Sequence, residues 1–512
     1  MDAPPRAVIS VYDKTGVVEL AAGLVELGWE LIASGGTANV IAAAGLPVVD
    51  VADYSGSPTM LGHRVATLHP RIHGGILADR DDSTHRADLE ANGIDPINLV
   101  VSNLYPFAAS PGIETIDIGG PTMVRAAAKN HAHVGVLVNP DDYPAVLDEL
   151  RSRGRLSDAT RRDLARRAFA HTAAYEFAIS RWFDTGNGPD ESGLPAVIRL
   201  ELERAEMLRY GENPHQQGAR YRRWGTLGFF DGVVQHGGQA LSYLNLMDAE
   251  AAWRLAHDLG DRPAAVIVKH ANPCGAAVAE DLGTAYSRAF DCDPRSAFGG
   301  VVAVNEVIDQ ATAEAMAAAA QADVVIAPGF AEGVVERLAA RRANTRLLEA
   351  PAGRIDEPTW ELRTLGGVAG EFLVQTPRRL AADPTEWRVV TAREPTETER
   401  ADAVFAWRVC AHSSSNAIVL AHDGTAWGIG AGQQNRVQAG EIAAAKAAGR
   451  AAGGACASDG FYPFGDGIAA AADAGAAVVV QPGGSVNDAK VIAAADERNL
   501  AMLFTAERQF RH

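Results

Sequence analysis

The sequence predicts an α/β protein built on mainly parallel sheets. Three observations predict it. Short apolar runs alternate with amphipathic helical stretches through the first ~185 residues, as in sheets whose strands are joined by crossover helices. The strand-like runs stop at Asn-containing, proline-punctuated turns, as parallel strands in such units often do. The remaining chain then repeats one theme: apolar strand, polar loop, Ala-rich helix.

In order, "AVISVY" is the first strand and "TGVVELAAGLVELG" a helix with Gly28 at its end. "WELIAS", a Gly-Gly-Thr turn and the helix "ANVIAAAG" follow, and "NLVVSNLYPF" and "HVGVLVNP" read as later strands. "DTGNGPDESGLPA" is rich in Gly, Pro and acidic residues and reads as an exposed linker. The boundaries are therefore a first domain over 1–185, a linker over 186–198 and a second region over 199–512. In that region "AAVIVKHANPCG", "GGVVAVNE", "ADVVIAP", "SNAIVLAHDG", "TAWGIGAG" and "AAVVVQPGG" are the strands. Likeness between 265–305 and 415–485 suggests two related α/β subdomains, dividing near 370–390.

Bulk properties exclude several classes. At 512 residues the chain exceeds one compact core, which predicts two to four domains. The 64 acidic against 46 basic residues give a net charge of −18, which argues against a general nucleic-acid binder. No charged segment with a following apolar stretch opens the chain, and no apolar run reaches the ~18 residues of a membrane span. A cytoplasmic protein with no membrane attachment is expected. Cys274, Cys292, Cys410 and Cys456 include no CxxC pair, so they read as reduced structural thiols.

Candidate chemistry lies at strand ends. "SGGTA" (Ser34 to Ala38) follows a strand and opens a helix, where glycines admit close approach and free N–H groups attract an anion. "SVYDKTG" brings a lysine, Lys14, to a similar turn, and "IDIGGPTMVRAAAKNH" puts Asp117 before a helix start with Lys129 three turns along. "HRVATLHPRIHGGIL" adds Arg64, Thr67 and His69. Together these turns fit a phosphorylated small molecule; the alternative is a set of tight connections.

In the second region "LRYGENPHQ" packs Arg, Tyr, Glu, Asn and His into a segment with little room for a core face. "VKHANPCG" places Lys269 and His270 where the apolar run Ala264 to Val268 gives out, and a turn at Asn272-Pro273 would bring both toward one ligand. A neutral imidazole can take a proton from an attacking amine, and an ammonium can stabilise an oxyanion or protonate a leaving nitrogen. That pairing suits acyl transfer to a weak amine; the alternative is a structural histidine beside a solvated lysine. A lone "GIGAG" without GxGxxG after a first strand does not make a dinucleotide site. None of the fourteen histidines has a Glu two residues on, and Cys274 lacks a following partner, so the zinc deaminase pattern is absent and no metal is expected.

The set "SVYDKTG", "TLHP", "NLYPF", "IDIGGPTMVRAAAKNH", "RYGENPHQ", "KHANPCG", "SAFGG", "SNAIV", "GIGAGQ" and "QPGGS", in this order over nearly the full chain, resembles the bifunctional enzymes joining aminoimidazole-carboxamide ribotide (AICAR) formyltransferase to inosine monophosphate (IMP) cyclohydrolase. The resemblance implies a methylglyoxal-synthase-like N-terminal domain followed by two cytidine-deaminase-like subdomains without zinc, assembled as a homodimer. It implies formyl transfer from 10-formyltetrahydrofolate to the 5-amino group of AICAR, then ring closure to IMP with loss of water, the last two steps of purine biosynthesis. By resemblance, Lys269 and His270 are the transfer pair and Asn416 positions the amine. Arg209, Tyr210 and Arg508 hold the nucleotide, Phe298, Gly299 and Arg436 line the pocket, and Asp466 meets the folate. Ser10, Lys14, Ser34, Gly36 and Thr37 hold phosphate in the cyclohydrolase site, and Arg64, Thr67, Asn103, Tyr105, Asp117 and Lys129 surround the closing ring.

Departures from the family pattern cluster. Tyr12 stands where "SVSDK" has a small hydroxyl, and Ala66 where "RVKTLHP" has a lysine. Ser414, Gly465 and Asn487 replace three cations of the transferase part. Two other readings follow: a paralogue acting on an AICAR-like ribotide such as an aminopyrazole carboxamide, or a transferase with an impaired cyclase. A non-catalytic nucleotide-binding protein fits the altered N-terminal site but not the intact Lys269–His270 pair.

Overall fold

The computed structural model describes residues 4–61, 64–185, 194–355, 358, 360–365 and 370–512. Of the expected linker, 186–193 lie outside the described residues. The chain divides into two compact units, Met1–Arg199 and Leu200–His512. Among the described residues no helix is long and apolar enough to cross a membrane.

The first unit holds a five-stranded sheet in the order Val49–Asp50, Glu30–Ala33, Arg6–Ile9, Leu99–Val101, Gly135–Leu137, parallel throughout. The three inner strands are apolar almost end to end because helices cover the sheet; Val8, Ile9, Leu31, Val100 and Val101 are all buried. At about 1.5–3 kcal/mol for each such side chain removed from water, they set the register. Strand order reverses between Arg6–Ile9 and Leu99–Val101, so a crevice forms outside the carboxyl ends of those two strands. Ser10, Ser34 and Asn103 sit at that edge. The strand expected from "NLVVSNLYPF" is only Leu99–Val101, because Asn103 turns away to bond the neighbouring backbone.

The second unit is organised on one twelve-stranded sheet. Its centre is two hairpins, Ala264–Lys269 with Asn272–Val278 and Ile418–His422 with Thr425–Gly430, joined antiparallel through Ala277 and Thr425. Outward from the first hairpin run Val301–Val304, Val324–Ala327 and Arg346–Glu349; outward from the second run Ala455–Ser458, Val478–Gln481 and Ala501–Phe504. In each half the first of these pairs antiparallel with the hairpin and the next two follow in parallel, so the halves share one wiring. A helix precedes each hairpin, Tyr243–Asp258 and Glu397–Ala411, burying Trp253 and Trp407. Along Ala264–Lys269 the two-residue period divides the cores: Val266 and Val268 pack with those two helices, Ala265 and Ile267 with Leu282–Cys292.

The turn differs from expectation. Asn272 and Pro273 begin a strand; the reversal is made by His270 and Ala271, at φ 54° and 57°, between the paired Lys269 and Asn272. Two central residues at positive φ are the signature of the type I′ turn, whose twist matches the flanking strands. Pro273 is tolerated inside the sheet because the pairing slips between Pro273 and Gly275.

Candidate active sites

Two groups of polar side chains stand where the sequence placed chemistry, one in each unit. In the larger unit the group is built around the His270–Ala271 turn. Asp248, on the helix below, accepts from the Ala271 N–H at 2.7 Å and the His270 N–H at 3.3 Å, which holds the turn in its left-handed conformation. Burial pushes the Asp248 carboxyl pKa up, and the two backbone N–H groups oppose that shift. Lys269 Nζ donates to the Phe298 carbonyl at 2.8 Å, so the ammonium is anchored beside exposed Phe298 and Gly299, while His270 projects to solvent.

The loop carrying Asn416 comes from the other half of the sheet, and two ties bring it to the turn. Asn272 Oδ1 accepts from the Ser414 N–H at 2.8 Å. Arg511, at the carboxyl end of the chain, donates from Nη1 to the carbonyls of Ala271 (2.9 Å) and His412 (2.6 Å); its backbone N–H donates to Ser415 Oγ at 3.2 Å and its carbonyl accepts from the Ser415 N–H at 2.9 Å. Asn416 is then fixed at both ends of its amide. Nδ2 donates to the Gln433 carbonyl at 2.9 Å, and Oδ1 accepts from Arg436 Nη2 at 2.8 Å. Arg436 is locked by the fully buried Asp459 and by Ser458 Oγ at 2.7 Å. The Ser415–Asn416 peptide is cis.

Arg209 and Tyr210 form a separate group. Arg209 donates to Gln239 Oε1 at 2.7 Å and lies over the Tyr210 ring at 5.4 Å. Among the described residues no hydrogen bond joins either to the Asn416 loop. Arg508 stacks over Phe510 at 4.4 Å, and Asp466 opens the helix Asp466–Asp473. The glycines of "GIGAG" serve packing: a Cβ on Gly428 or Gly430 would come within 2.0 Å of the Ala443 or Ala439 carbonyl of the adjacent helix. The buried cysteines are inert as nucleophiles, with burial raising Cys274 and Cys292 to about 12.

In the smaller unit Ser10 Oγ and Ser34 Oγ lie 2.9 Å apart at the carboxyl ends of adjacent strands. The helix Gly35–Ala43 starts at Ser34 without a side-chain cap, so its first N–H groups are not taken by the cap side chain. Thr37 Oγ1 donates to the Val11 carbonyl at 3.1 Å, and Lys14 folds back on the carbonyls of Val11 and Tyr12. Burial lowers the Lys14 pKa. Asn103 Oδ1 accepts from the N–H groups of Tyr12 (2.6 Å) and Asp13 (2.9 Å), welding this turn to the loop of Tyr105. Asp117 accepts from the Gly120 N–H at 2.8 Å, and burial raises its pKa. Thr67 lies against Gly119, where a Cβ would meet its hydroxyl at 2.7 Å. Arg64 is exposed and paired with Glu114. Lys129 is not brought to this group by its helix: it closes Gly119–Lys129 at the far end, about 15 Å along the axis from Gly119.

Sequence reasoning missed Asp248, Asp459 and Arg511. The first two carry no local signal; Arg511 lies three residues past Arg508 in the same terminal segment. The described residues closest to an ion-binding geometry, Asp79, Asp81 and His133, lie near the amino end of Gly135–Leu137, away from the smaller unit's group.

A family model described as AICARFT/IMPCHase bienzyme matches residues 127–446, and one described as an MGS-like domain matches residues 16–127. The bifunctional purine biosynthesis protein PurH of Cyanothece sp. (strain PCC 7425) is 48% identical over 520 residues, covering 99% of this chain and 100% of that protein. The crystal structure of ForH is 39% identical, covers 35% of this chain and 100% of its own, and superposes with a TM-score of 0.33.

Proposed function

The chain belongs to the AICARFT/IMPCHase bienzyme family, and from that premise we propose which of its residues carry each reaction. It is a bifunctional enzyme of purine biosynthesis that formylates AICAR and cyclises the product to IMP. A formyl-tetrahydrofolate is the co-substrate of the family. Our reading is that the donor is 10-formyltetrahydrofolate, that Lys269, His270 and Asn416 perform the transfer, and that the Ser10–Ser34–Thr37 group holds the nucleotide phosphate during cyclisation.

The observation that carries the first part is the double tie of the His270–Ala271 turn to the Asn416 loop through Asn272 and Arg511. The AICAR amine attacks the formyl carbon. His270, as neutral imidazole, takes the proton released from that nitrogen. Lys269 stabilises the oxyanion and donates a proton as the carbon–nitrogen bond to the donor breaks. Asn416, with Oδ1 held by Arg436, positions the amine and the neighbouring carboxamide. Arg209, Tyr210 and Arg508 would hold the nucleotide, Phe298, Gly299 and Arg436 would line the pocket, and Asp466 would meet the folate. A homodimer with transferase sites between subunits is part of the same reading and rests on the likeness to the family. A cytoplasmic location fits an enzyme of this pathway.

For ring closure, the carboxamide nitrogen attacks the formyl carbon and water leaves. Asp117 is the acid–base group, Tyr105 and Asn103 flank the ring, and Arg64 is freed from Glu114 by the incoming ligand. Lys129 retains only its likeness to the family as support. Because burial raises Asp117, its proton is lost at a higher pH than that of a free aspartate. The acid limb of the cyclisation rate should therefore lie above the ordinary aspartate range, and a pH–rate profile checks it.

Incubating the protein with AICAR and 10-formyltetrahydrofolate, with products identified by mass, tests the whole reading. IMP is the expected product. Formyl-AICAR accumulating without IMP would remove the cyclase half. Neither product would remove both and favour a related ribotide as substrate.

A further inference from the structure

Tyr12 stands out in the smaller unit. Its N–H is held at 2.6 Å by Asn103 Oδ1, and the Asn103 amide donates to the Asp13 carbonyl at 2.9 Å, so the root of the side chain cannot drift. Tyr105 lies two residues beyond Asn103 on the same loop. The two rings meet edge to face, with centroids 5.3 Å apart and planes at 64°. Yet they remain 54% and 46% exposed, although the strands beneath are wholly buried. Preorganised aromatic surface left in water beside a phosphate cradle is a feature that a flat ligand ring would cover.

Ser10, Ser34 and Thr37, proposed above to hold the phosphate, adjoin this surface: Thr37 Oγ1 donates to the carbonyl of Val11, the residue before Tyr12. Residue 66 is alanine and carries no charge, and the two exposed rings offer apolar surface that a heterocycle can cover in addition to any charged contact.

We propose that Tyr12 is a specificity-determining residue of the cyclisation site, forming with Tyr105 an aromatic wall against which the heterocycle of the bound ribotide packs. This rests on the cyclohydrolase reading of the same site. The ligand class is a 5′-phosphorylated ribotide with a planar heteroaromatic base, and the hydroxyl of Tyr12 is not required.

The test compares wild type, Tyr12→Ser and Tyr12→Phe, all as the full chain. It measures the dissociation constants of IMP and of ribose 5-phosphate, which keeps the phosphate and lacks the base, and the KM and kcat for synthetic formyl-AICAR. Tyr12→Ser should weaken IMP about tenfold, as the loss of one base–aromatic contact would, and raise KM by a similar factor. Ribose 5-phosphate should bind it as it binds the wild type, and Tyr12→Phe should restore IMP affinity.

Equal loss of IMP and ribose 5-phosphate would overturn the proposal in favour of a phosphate contact. Unchanged or tighter IMP binding by Tyr12→Ser would overturn it in favour of simple obstruction. A Tyr12→Phe variant as weak as Tyr12→Ser would assign the effect to the hydroxyl. A wild type that neither binds IMP nor closes formyl-AICAR would sink the cyclohydrolase reading itself, a result distinct from the other three.

Discussion

The two hairpins at the centre of the large sheet have the same wiring but different turns. Each follows a helix with a buried tryptophan, and each turn has two residues at positive φ. Each is capped by a carboxylate from that helix: Asp248 on the His270 and Ala271 N–H groups, Asp402 on those of Asp423 and Gly424. The second turn is Asp-Gly, a pair the type I′ geometry favours. The first is His-Ala. An alanine in the left-handed region costs about 1–2 kcal/mol, and nothing in the strand pairing requires it. The half that obeys the local rule has an imidazole, His422, turned onto Asp402 at 3.2 Å. The half that breaks it presents a histidine to solvent beside an anchored lysine. Where the two copies of one scaffold differ, the strained copy is the one to which the proposed transfer chemistry is assigned.

Four substitution experiments bear on that contrast. The largest effect is expected from His270→Ala, which should lower formyl transfer by about 10²–10⁴-fold and leave AICAR affinity within about threefold. The equivalent Asp423→Ala should leave transfer unchanged. Steady-state kinetics with calorimetric AICAR binding checks both, and wild-type turnover by His270→Ala would end the mechanism.

Arg511→Ala should follow. It deprives the Ala271 and His412 carbonyls of their donor and unties the Asn416 loop from the turn. Misplacement of this kind lowers kcat by about 10- to 100-fold, with little change expected in nucleotide affinity. A rise in KM with kcat unchanged would show that Arg511 binds substrate instead.

Removing the caps separates fold from function. Asp248→Ala and Asp402→Ala should each destabilise the unit by about 1–3 kcal/mol in denaturant unfolding, since each leaves turn N–H groups without an acceptor. Only Asp248→Ala should also lose transfer activity at a temperature where both variants remain folded. Equal losses of activity would mean the two turns are functionally alike.

The smallest effects come from exchanging turn residues. Ala271→Gly should stabilise by about 1 kcal/mol by relieving the left-handed strain, with a modest loss of rate as the turn loosens. Gly424→Ala should destabilise by about 2 kcal/mol, because a Cβ there meets Val278 at 2.8 Å in addition to the unfavourable φ. Thermal unfolding of the pair gives the sign directly.

The smaller unit repeats the lesson. That its glycine-bearing turns meet at one sheet edge was readable, because strand ends and helix starts are local features and parallel strands must bring them together. The placement of Lys129 was not readable in that way, since the pattern "GGPTMVRAAAK" sets a helix but not which end of it meets a ligand. The half-exposed Tyr12 was visible as a departure; its contact with Tyr105 was not, because Asn103 makes it from a different strand.

The sequence by itself determined the order of strands and helices and the strand-end position of Lys269 and His270, which follow from short-range periodicity and turn chemistry, and it carried the motifs by which the chain resembles the family. The tertiary structure decided where the chain reverses and how Asn416 is aimed. Sequence placed the turn at Asn272-Pro273, where two turn-formers stand together. The fold places it at His270-Ala271, because Asp248 supplies a carboxylate to those N–H groups and Arg511 a guanidinium to the Ala271 carbonyl. Hydrogen-bond partners so remote along the chain leave no trace in any local window, and they settle which of two neighbouring turns forms.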